Sequence, residues 1–109
     1  MEGRDLEKYH DDLRSLLSPV VEGKPYITSL VLFGSRARGD SDGLSDFDFH
    51  VGFDHDAGGI KEFLSFCDEV EAVLCCRCDF VSTPLSRTDR LLAEEIRKDG
   101  VTMYDSTAR

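Results

Sequence analysis

The sequence lacks the features that would place it in a membrane or on nucleic acid. No apolar run is long enough to cross a bilayer, and the opening Met1-Glu2-Gly3-Arg4-Asp5 does not resemble a signal peptide. Basic residues are scarce, since 13 lysines and arginines stand against 22 aspartates and glutamates, for a formal net charge of −9. Nucleic-acid affinity rests mainly on cationic contacts to phosphates. We therefore expect a cytoplasmic protein with no membrane segment and no direct nucleic-acid partner.

The four cysteines also lack the pattern of a zinc site. Cys67, Cys75, Cys76 and Cys78 lie in or beside apolar segments, without paired C-x-x-C units or accompanying histidines. We interpret them as reduced thiols of core or strand segments.

The length of 109 residues predicts a single domain over 1–109, with a flexible tail over 105–109. Hydrophobic periodicity and turn residues predict the order helix, strand, short helix, strand, helix, strand, helix. This order indicates the α/β (α+β) class, with a small mixed sheet flanked by helices. The predicted strands are 27–33, 46–53 and 76–81, and the long helices are 5–21, 59–74 and one capped by Ser86 that ends near Gly100.

Apolar residues at helical spacing predict the buried face of each long helix. The predicted stripes are Leu6, Tyr9, Leu13, Leu16, Leu17 and Val20 in the first helix, Ile60, Phe63, Leu64, Cys67, Val70, Val73 and Leu74 in the second, and Leu91, Leu92 and Ile96 in the last.

The segment after the first predicted strand is suited to bind an anion. The strand ends in Gly34-Ser35 and the chain then turns into a short helix that carries Arg36 and Arg38. Unpaired N–H groups and the helix dipole at such a start both attract negative charge. An ordinary helix start capped by Ser35 is the alternative reading. We expect Arg36 and Arg38 to neutralise bound phosphates.

Asp46 and Asp48 are separated by one residue on the next predicted strand. Side chains alternate between faces, so both carboxylates lie on one face with Cα atoms roughly 6–7 Å apart, while Phe47, Phe49 and Val51 face the other way. Two carboxylates that close are stabilised by a cation, because repulsion would otherwise raise one pKa. A solvated edge strand is the alternative. Asp79 on the third predicted strand is a further carboxylate if its face aligns.

These motifs together resemble the DNA polymerase beta-like nucleotidyltransferases. The resemblance is greatest to the minimal nucleotidyltransferases (MNT), which are encoded beside HEPN-domain proteins. It is carried by Gly34-Ser35, Ala37-Arg38-Gly39, Ser45-Asp46-x-Asp48, Asp79 and the closing 96–104, and it spans nearly the whole chain.

The resemblance implies a role for each of these positions. Gly34 and Ser35 would hold the terminal phosphates of a nucleoside triphosphate, most simply ATP. Asp46, Asp48 and Asp79 would bind two Mg²⁺ (or Mn²⁺) ions, about 3.5–4 Å apart as in other two-metal sites. Asp79 would also help to activate the attacking hydroxyl.

For the acceptor, the resemblance implies a tyrosine hydroxyl of a HEPN-domain toxin. AMPylation of that toxin would make this chain a type VII-like antitoxin. Two alternatives stay open: a non-catalytic antitoxin that masks the toxin by binding, and an aminoglycoside-type transferase acting on a small molecule. The three proposed metal ligands favour an enzyme over a pure binding surface.

Two features depart from the expected pattern. His50 lies on the carboxylate face, and we interpret it as a histidine at the edge of the cleft rather than as a base or an acceptor contact. Asp40 and Asp42 add negative charge near the proposed phosphates, which would weaken nucleotide binding.

Overall fold

The computed structural model describes residues 3–40 and 45–107. Within these residues four α-helices alternate with four strands, and one 3-10 turn precedes the last helix. The elements are α1 (Gly3–Val21), β1 (Ile27–Phe33), α2 (Ser35–Arg38), β2 (Phe47–Phe53), α3 (Ile60–Leu74), β3 (Cys78–Val81), the 3-10 turn (Leu85–Arg87), α4 (Arg90–Asp99) and β4 (Val101–Asp105).

The four strands form one mixed sheet in the order β3-β2-β1-β4. β1 is antiparallel to both β2 and β4, whereas β2 and β3 are parallel. Parallel neighbours need a crossover connection, and α3 supplies it between β2 and β3. The predicted mixed sheet flanked by helices is confirmed, and β1 has the predicted bounds.

The main core lies between the sheet and helices α1 and α3. On β2 the aromatic and aliphatic residues Phe47, Phe49 and Val51 are buried in this core, as the alternation predicts. Asp48 and His50 are therefore directed to the opposite face of the sheet. The other core residues are Leu13, Leu17, Val20, Val21, Ile27, Leu30, Leu32, Ala37, Phe66, Val70 and Met103.

Helix α4 packs against β1, and its contacts correct the predicted last helix. Ala93 and Ile96 are buried, but Leu91 is 75% exposed, so its place in the predicted stripe is wrong. Ser86 lies in the 3-10 turn and does not cap the helix. The cap is Asp89, whose carboxylate accepts from the N–H groups of Leu91 and Leu92.

The stripes predicted for the other two long helices are right in part. Leu16 is 50% exposed, and Ile60 and Leu64 are 73% and 55% exposed. Phe66, which the spacing did not select, is fully buried. The buried face of each helix is thus rotated slightly from the face that the spacing predicts, because the fit of the helix to the sheet decides which of its side chains are covered.

The chain beyond 104 continues the sheet where the sequence predicted a tail. Asp105 is the last residue of β4, and the N–H of Ser106 donates to the Thr28 carbonyl over 3.0 Å. Residues 108 and 109 lie outside the described residues, as does Asp42.

β3 is a short strand at one edge of the sheet. The N–H of Cys78, its first residue, donates over 2.9 Å to the carboxylate of Glu71 on α3 rather than to a strand. No helix in the described parts of the chain is long and apolar enough to span a membrane.

Candidate active site

Gly34 joins β1 to α2 in a conformation that only glycine adopts readily. Its φ is +79° and its ψ is −160°, a region that costs other residues about 1–3 kcal/mol. Gly34 is also buried, and a Cβ at this position would overlap the carboxylate of Asp48. The glycine therefore lets the end of β1 approach an acidic side chain of β2 closely.

The turn after Gly34 is tied together by backbone hydrogen bonds. The Gly34 carbonyl accepts from the N–H groups of Ala37 and Arg38, both at 3.0 Å, and the Ser35 carbonyl accepts from Gly39 at 2.9 Å. The N–H groups of Ser35 and Arg36 come before these first intrahelical donors. The first N–H groups of a helix have no acceptor within the helix itself.

Strand pairing brings Asp48 beside Asp79. In the parallel pair of β2 and β3 these two residues are register partners, and neighbouring strands are about 4.8 Å apart. Asp48 is half-buried and Asp79 is exposed. Asp46 lies immediately before β2, which begins at Phe47. The sequence left open whether Asp79 aligns with the acids of β2, and the register pairs it with Asp48.

Electrostatics indicate that four carboxylates share this region. Burial raises the pKa of Asp48, and repulsion from Asp79, Glu95 and Asp46 raises it further, while the Arg38 guanidinium partly offsets the effect. Glu95 lies on α4, which covers β1, and sequence reasoning missed it. In the sequence, Glu95 is marked only by its position near the end of a predicted helix, and the sequence does not show where that helix packs.

The donor set at this face suits a hard divalent cation. Carboxylate oxygens are the ligands that Mg²⁺ prefers, and the excess negative charge around Asp48 would be offset by such an ion. Within residues 3–40 and 45–107, no three Asp, Glu, His or Cys side chains already converge as a metal cage. That is compatible with Mg²⁺, which takes one or two carboxylates and completes its shell with substrate phosphates and water.

Arg38 is exposed, and its guanidinium lies against several acidic side chains. Its guanidinium is 3.0 Å from a carboxylate oxygen of Asp40, 3.0 Å from one of Asp99 and 3.7 Å from one of Glu95. The hydrogen bond with Asp40, followed by that with Asp99, raises the pKa of Arg38. Arg38 therefore links α2 to α4, and part of its positive charge offsets the acids that surround it.

Arg36 is held by the segment that leads into β2. Its Nε and one terminal nitrogen donate to the Ser45 carbonyl at 3.1 and 2.9 Å, and the other terminal nitrogen lies 3.2 Å from the Tyr9 hydroxyl. The guanidinium carbon is 4.4 Å from the centre of the Phe47 ring. The structure thus brings Arg36 to the entrance of β2.

His50 is not at the edge of a cleft, and that prediction is wrong. The ring is buried, and its Nε2 lies 2.9 Å from the Thr83 carbonyl. A carbonyl only accepts, so Nε2 carries the hydrogen. His50 fixes the loop after β3, and this role depends on a contact between residues 33 positions apart, which no local pattern reveals.

Two cavities in the described part of the chain lie away from the acids. One of about 370 Å³ is lined by residues between α1 and β4, including Lys24 and Tyr104. Another of about 220 Å³ lies beside Phe53 and Phe63. Asp79 contributes to neither of these two cavities, and its side chain is exposed.

A sheet that places a Gly-Ser turn against one of two register-paired aspartates has the layout of a nucleotidyltransferase. Residues 16–109 match the family described as polymerase beta, nucleotidyltransferase. The chain therefore belongs to this family of nucleotidyl-transferring enzymes.

The chain is also similar to individual proteins of known name or structure. It is 29% identical over 103 residues to the protein adenylyltransferase MntA of Aphanizomenon flos-aquae (strain 2012/KM1/D3), which covers 86% of this chain and 67% of that protein. Its fold matches a chain of a toxin–antitoxin crystal structure with AMP-PNP at a TM-score of 0.61, with 18% identity and coverage of 84% and 73%. It also matches a chain in the complex of tri-AMPylated Shewanella oneidensis HEPN toxin with MNT antitoxin, at a TM-score of 0.55, with 17% identity and coverage of 94% and 74%. These likenesses support the fold and the resemblance to minimal nucleotidyltransferases.

Proposed function

We propose that this chain transfers AMP from ATP to a hydroxyl of a HEPN-domain toxin, most simply a tyrosine, and thereby acts as an antitoxin. The observation that supports it best is the register pairing of Asp48 with Asp79, with Asp48 packed against the Gly34 turn. This pairing joins a phosphate-binding turn to carboxylates at one place in the fold. The similarity to a protein adenylyltransferase supports AMP and a protein acceptor.

Each site residue has a role in this proposal. Gly34 and the N–H groups at the start of α2 bind the terminal phosphates, with the Ser35 hydroxyl as an added donor. Asp46, Asp48 and Asp79 would hold the two Mg²⁺ (or Mn²⁺) ions, with one or two carboxylates on each ion. When bound, these ions would neutralise the triphosphate and stabilise the attacking and leaving oxygens. Arg38, already near the acids, contributes positive charge from the α4 side.

The transfer itself exchanges one phosphorus–oxygen bond for another. The acceptor hydroxyl oxygen attacks the α-phosphorus of ATP, the bond from that phosphorus to the bridging oxygen breaks, and pyrophosphate leaves. The hydroxyl proton passes to a carboxylate, for which Asp79 is placed best because it is exposed at the sheet edge. Asp48, which is half-buried, stays on the nucleotide side of the pair.

The exposure of Asp79 supports a macromolecular acceptor. Asp79 lies on β3 at the edge of the sheet, where a large molecule can reach it. A folded partner that docks over this edge would exclude water from the reaction.

The test uses the purified chain, the HEPN-domain protein encoded beside its gene, ATP labelled in the α-phosphate, and Mg²⁺. Label is expected on a tyrosine of the partner. Asp79→Asn should lower transfer by about 100-fold or more, the low end for a positioned acid–base group. Asp48→Asn should also lower transfer strongly, because it removes a proposed metal ligand. Asp56→Asn is the matched control, because it makes the same charge change in the exposed turn beyond the far end of β2.

Transfer that persists in both site variants would contradict the assigned roles. Tight binding of the partner with no label from the wild-type chain would replace the proposal with masking by binding. Label on a small molecule but not on the partner would indicate the aminoglycoside-type alternative.

A further inference from the structure

The contacts of Arg36 join three parts of the chain around the start of β2. Arg36 lies on α2, the Ser45 carbonyl that it binds lies one residue before Asp46, and Tyr9 lies on α1. The Sγ atom of Cys76, just before β3, is 4.0 Å from the same guanidinium and 3.8 Å from the Ser45 carbonyl. These groups enclose the entrance of β2 on the core side.

Arg36 and the carboxylate of Asp48 are on opposite faces of the sheet. The guanidinium stacks on Phe47, whose ring is part of the core under α1 and α3. Adjacent side chains of a strand are directed to opposite faces, so Asp48 is directed away from Arg36. A phosphate bound beside Asp48 and Gly34 is therefore separated from Arg36 by the strand itself.

We propose that Arg36 is a positioning residue that sets the direction in which the chain presents Asp46. A guanidinium places two N–H donors in a fixed fork on one carbonyl, and a stacked ring below restricts its tilt. With Ser45 fixed in this way, Asp46 leaves the loop at a defined angle and enters β2 in register. The inference rests on the proposed function, since it assigns Arg36 to the metal-ligand segment rather than to phosphate binding.

The first test follows the backbone and needs no substrate. The N–H of Phe47 donates to the Arg77 carbonyl over 3.1 Å, so its hydrogen exchange reports the entry of β2. Arg36→Lys keeps the positive charge but loses the fork. We expect it to raise exchange at Phe47 about tenfold, in line with the loss of hydrogen bonds to a charged group. Exchange at Leu30, in the middle of the sheet, should stay unchanged.

Two other variants separate the contacts. Tyr9→Phe removes one hydroxyl that Arg36 contacts, and it should raise exchange at Phe47 in the same direction by a smaller factor. Arg14→Lys is the matched control, because Arg14 also donates through Nε to a backbone carbonyl, that of Thr102 at 2.9 Å. It should leave exchange at Phe47 unchanged.

The second test separates positioning from phosphate binding. Positioning predicts that Arg36→Lys lowers kcat about tenfold, weakens binding of Mn²⁺ alone, and changes the KM for ATP less than about threefold. A large rise in that KM with unchanged exchange at Phe47 would overturn the inference in favour of phosphate binding. Equal rises in exchange at Phe47 and Leu30 would overturn it in favour of a general loss of stability. If the wild-type chain transfers nothing, the proposed function fails, while exchange and Mn²⁺ binding still decide the role of Arg36.

Discussion

Replacing Gly34 by alanine tests both the turn and the acidic site beside it. The substitution places a Cβ where the Asp48 carboxylate now lies, at a φ of +79° that alanine rarely adopts. The backbone strain costs about 1–3 kcal/mol, and forcing an atom into a packed site costs about 1–3 kcal/mol more. We expect the free energy of unfolding to fall by about 3 kcal/mol.

Thermal unfolding measured by circular dichroism gives the size of this loss. For 109 residues the unfolding entropy is about 0.23 kcal/mol/K, so a loss of about 3 kcal/mol lowers Tm by about 13 °C. Gly23→Ala is the matched control. Gly23 has a similar φ of +73°, but a Cβ there would meet nothing within 4 Å. It should lose only the strain, about 1 kcal/mol, or about 4 °C in Tm.

The cause of the additional loss can be isolated with Asp48→Ala. In that background the overlapping carboxylate is gone, so Gly34→Ala should lose only the backbone strain of about 1–3 kcal/mol. A Tm decrease for Gly34→Ala that equals the control in the wild-type background would refute the close approach of Gly34 to Asp48. A full 13 °C decrease that persists without the carboxylate would assign the loss to the backbone alone.

The remaining predictions concern Asp48 and the orientation of α4. Since burial and neighbouring carboxylates raise the pKa of Asp48, the folded chain holds this proton more tightly than the unfolded chain, and ionisation costs stability as pH rises above the ordinary value of 3.8. Without metal, Asp48→Asn should therefore unfold in urea at pH 7 with a free energy of unfolding at least as high as that of the wild type. The difference between the two should shrink as the pH falls toward 3.8. A less stable variant at pH 7 would contradict this prediction. In the same assay, Ile96→Ala should lower the free energy of unfolding by about 2–4 kcal/mol, because Ile96 is buried. Leu91→Ala should lower it by less than about 0.5 kcal/mol, because Leu91 is 75% exposed. Equal losses would instead support the buried stripe that the sequence predicted.

Local patterns were enough to predict the elements that carry the acids. A largely apolar seven-residue run before Gly34 predicts β1 with its observed bounds. Alternation predicts the burial of Phe47, Phe49 and Val51 on β2, but it does not predict that His50 is also buried. Both signals arise from the chain itself, because a strand has a period of two and a glycine at a strand end permits a sharp turn. The sheet class follows from the order of the elements.

Contacts between distant residues could not be predicted in this way. Arg36 meets Tyr9 across 27 positions, and Glu95 acts on Asp48 from a helix near the other end of the chain. The exposure of Leu91 depends on how α4 docks on β1, while the start of α4 was missed because Ser86 and Asp89 are both good caps. In each case the contact depends on tertiary packing, which the periodicity of the sequence does not reveal.

The hydrogen bond from Cys78 to Glu71 restricts how another molecule can reach Asp79. An exposed sheet edge usually invites a foreign segment to join as an extra strand. Here the Glu71 side chain already occupies the first N–H of β3, one residue before Asp79, and an added strand would have to displace it. Under the proposed function, an acceptor that projects a single hydroxyl would reach Asp79 without displacing Glu71. Selection among hydroxyls would then depend on how far each side chain protrudes from its own fold rather than on the sequence around it.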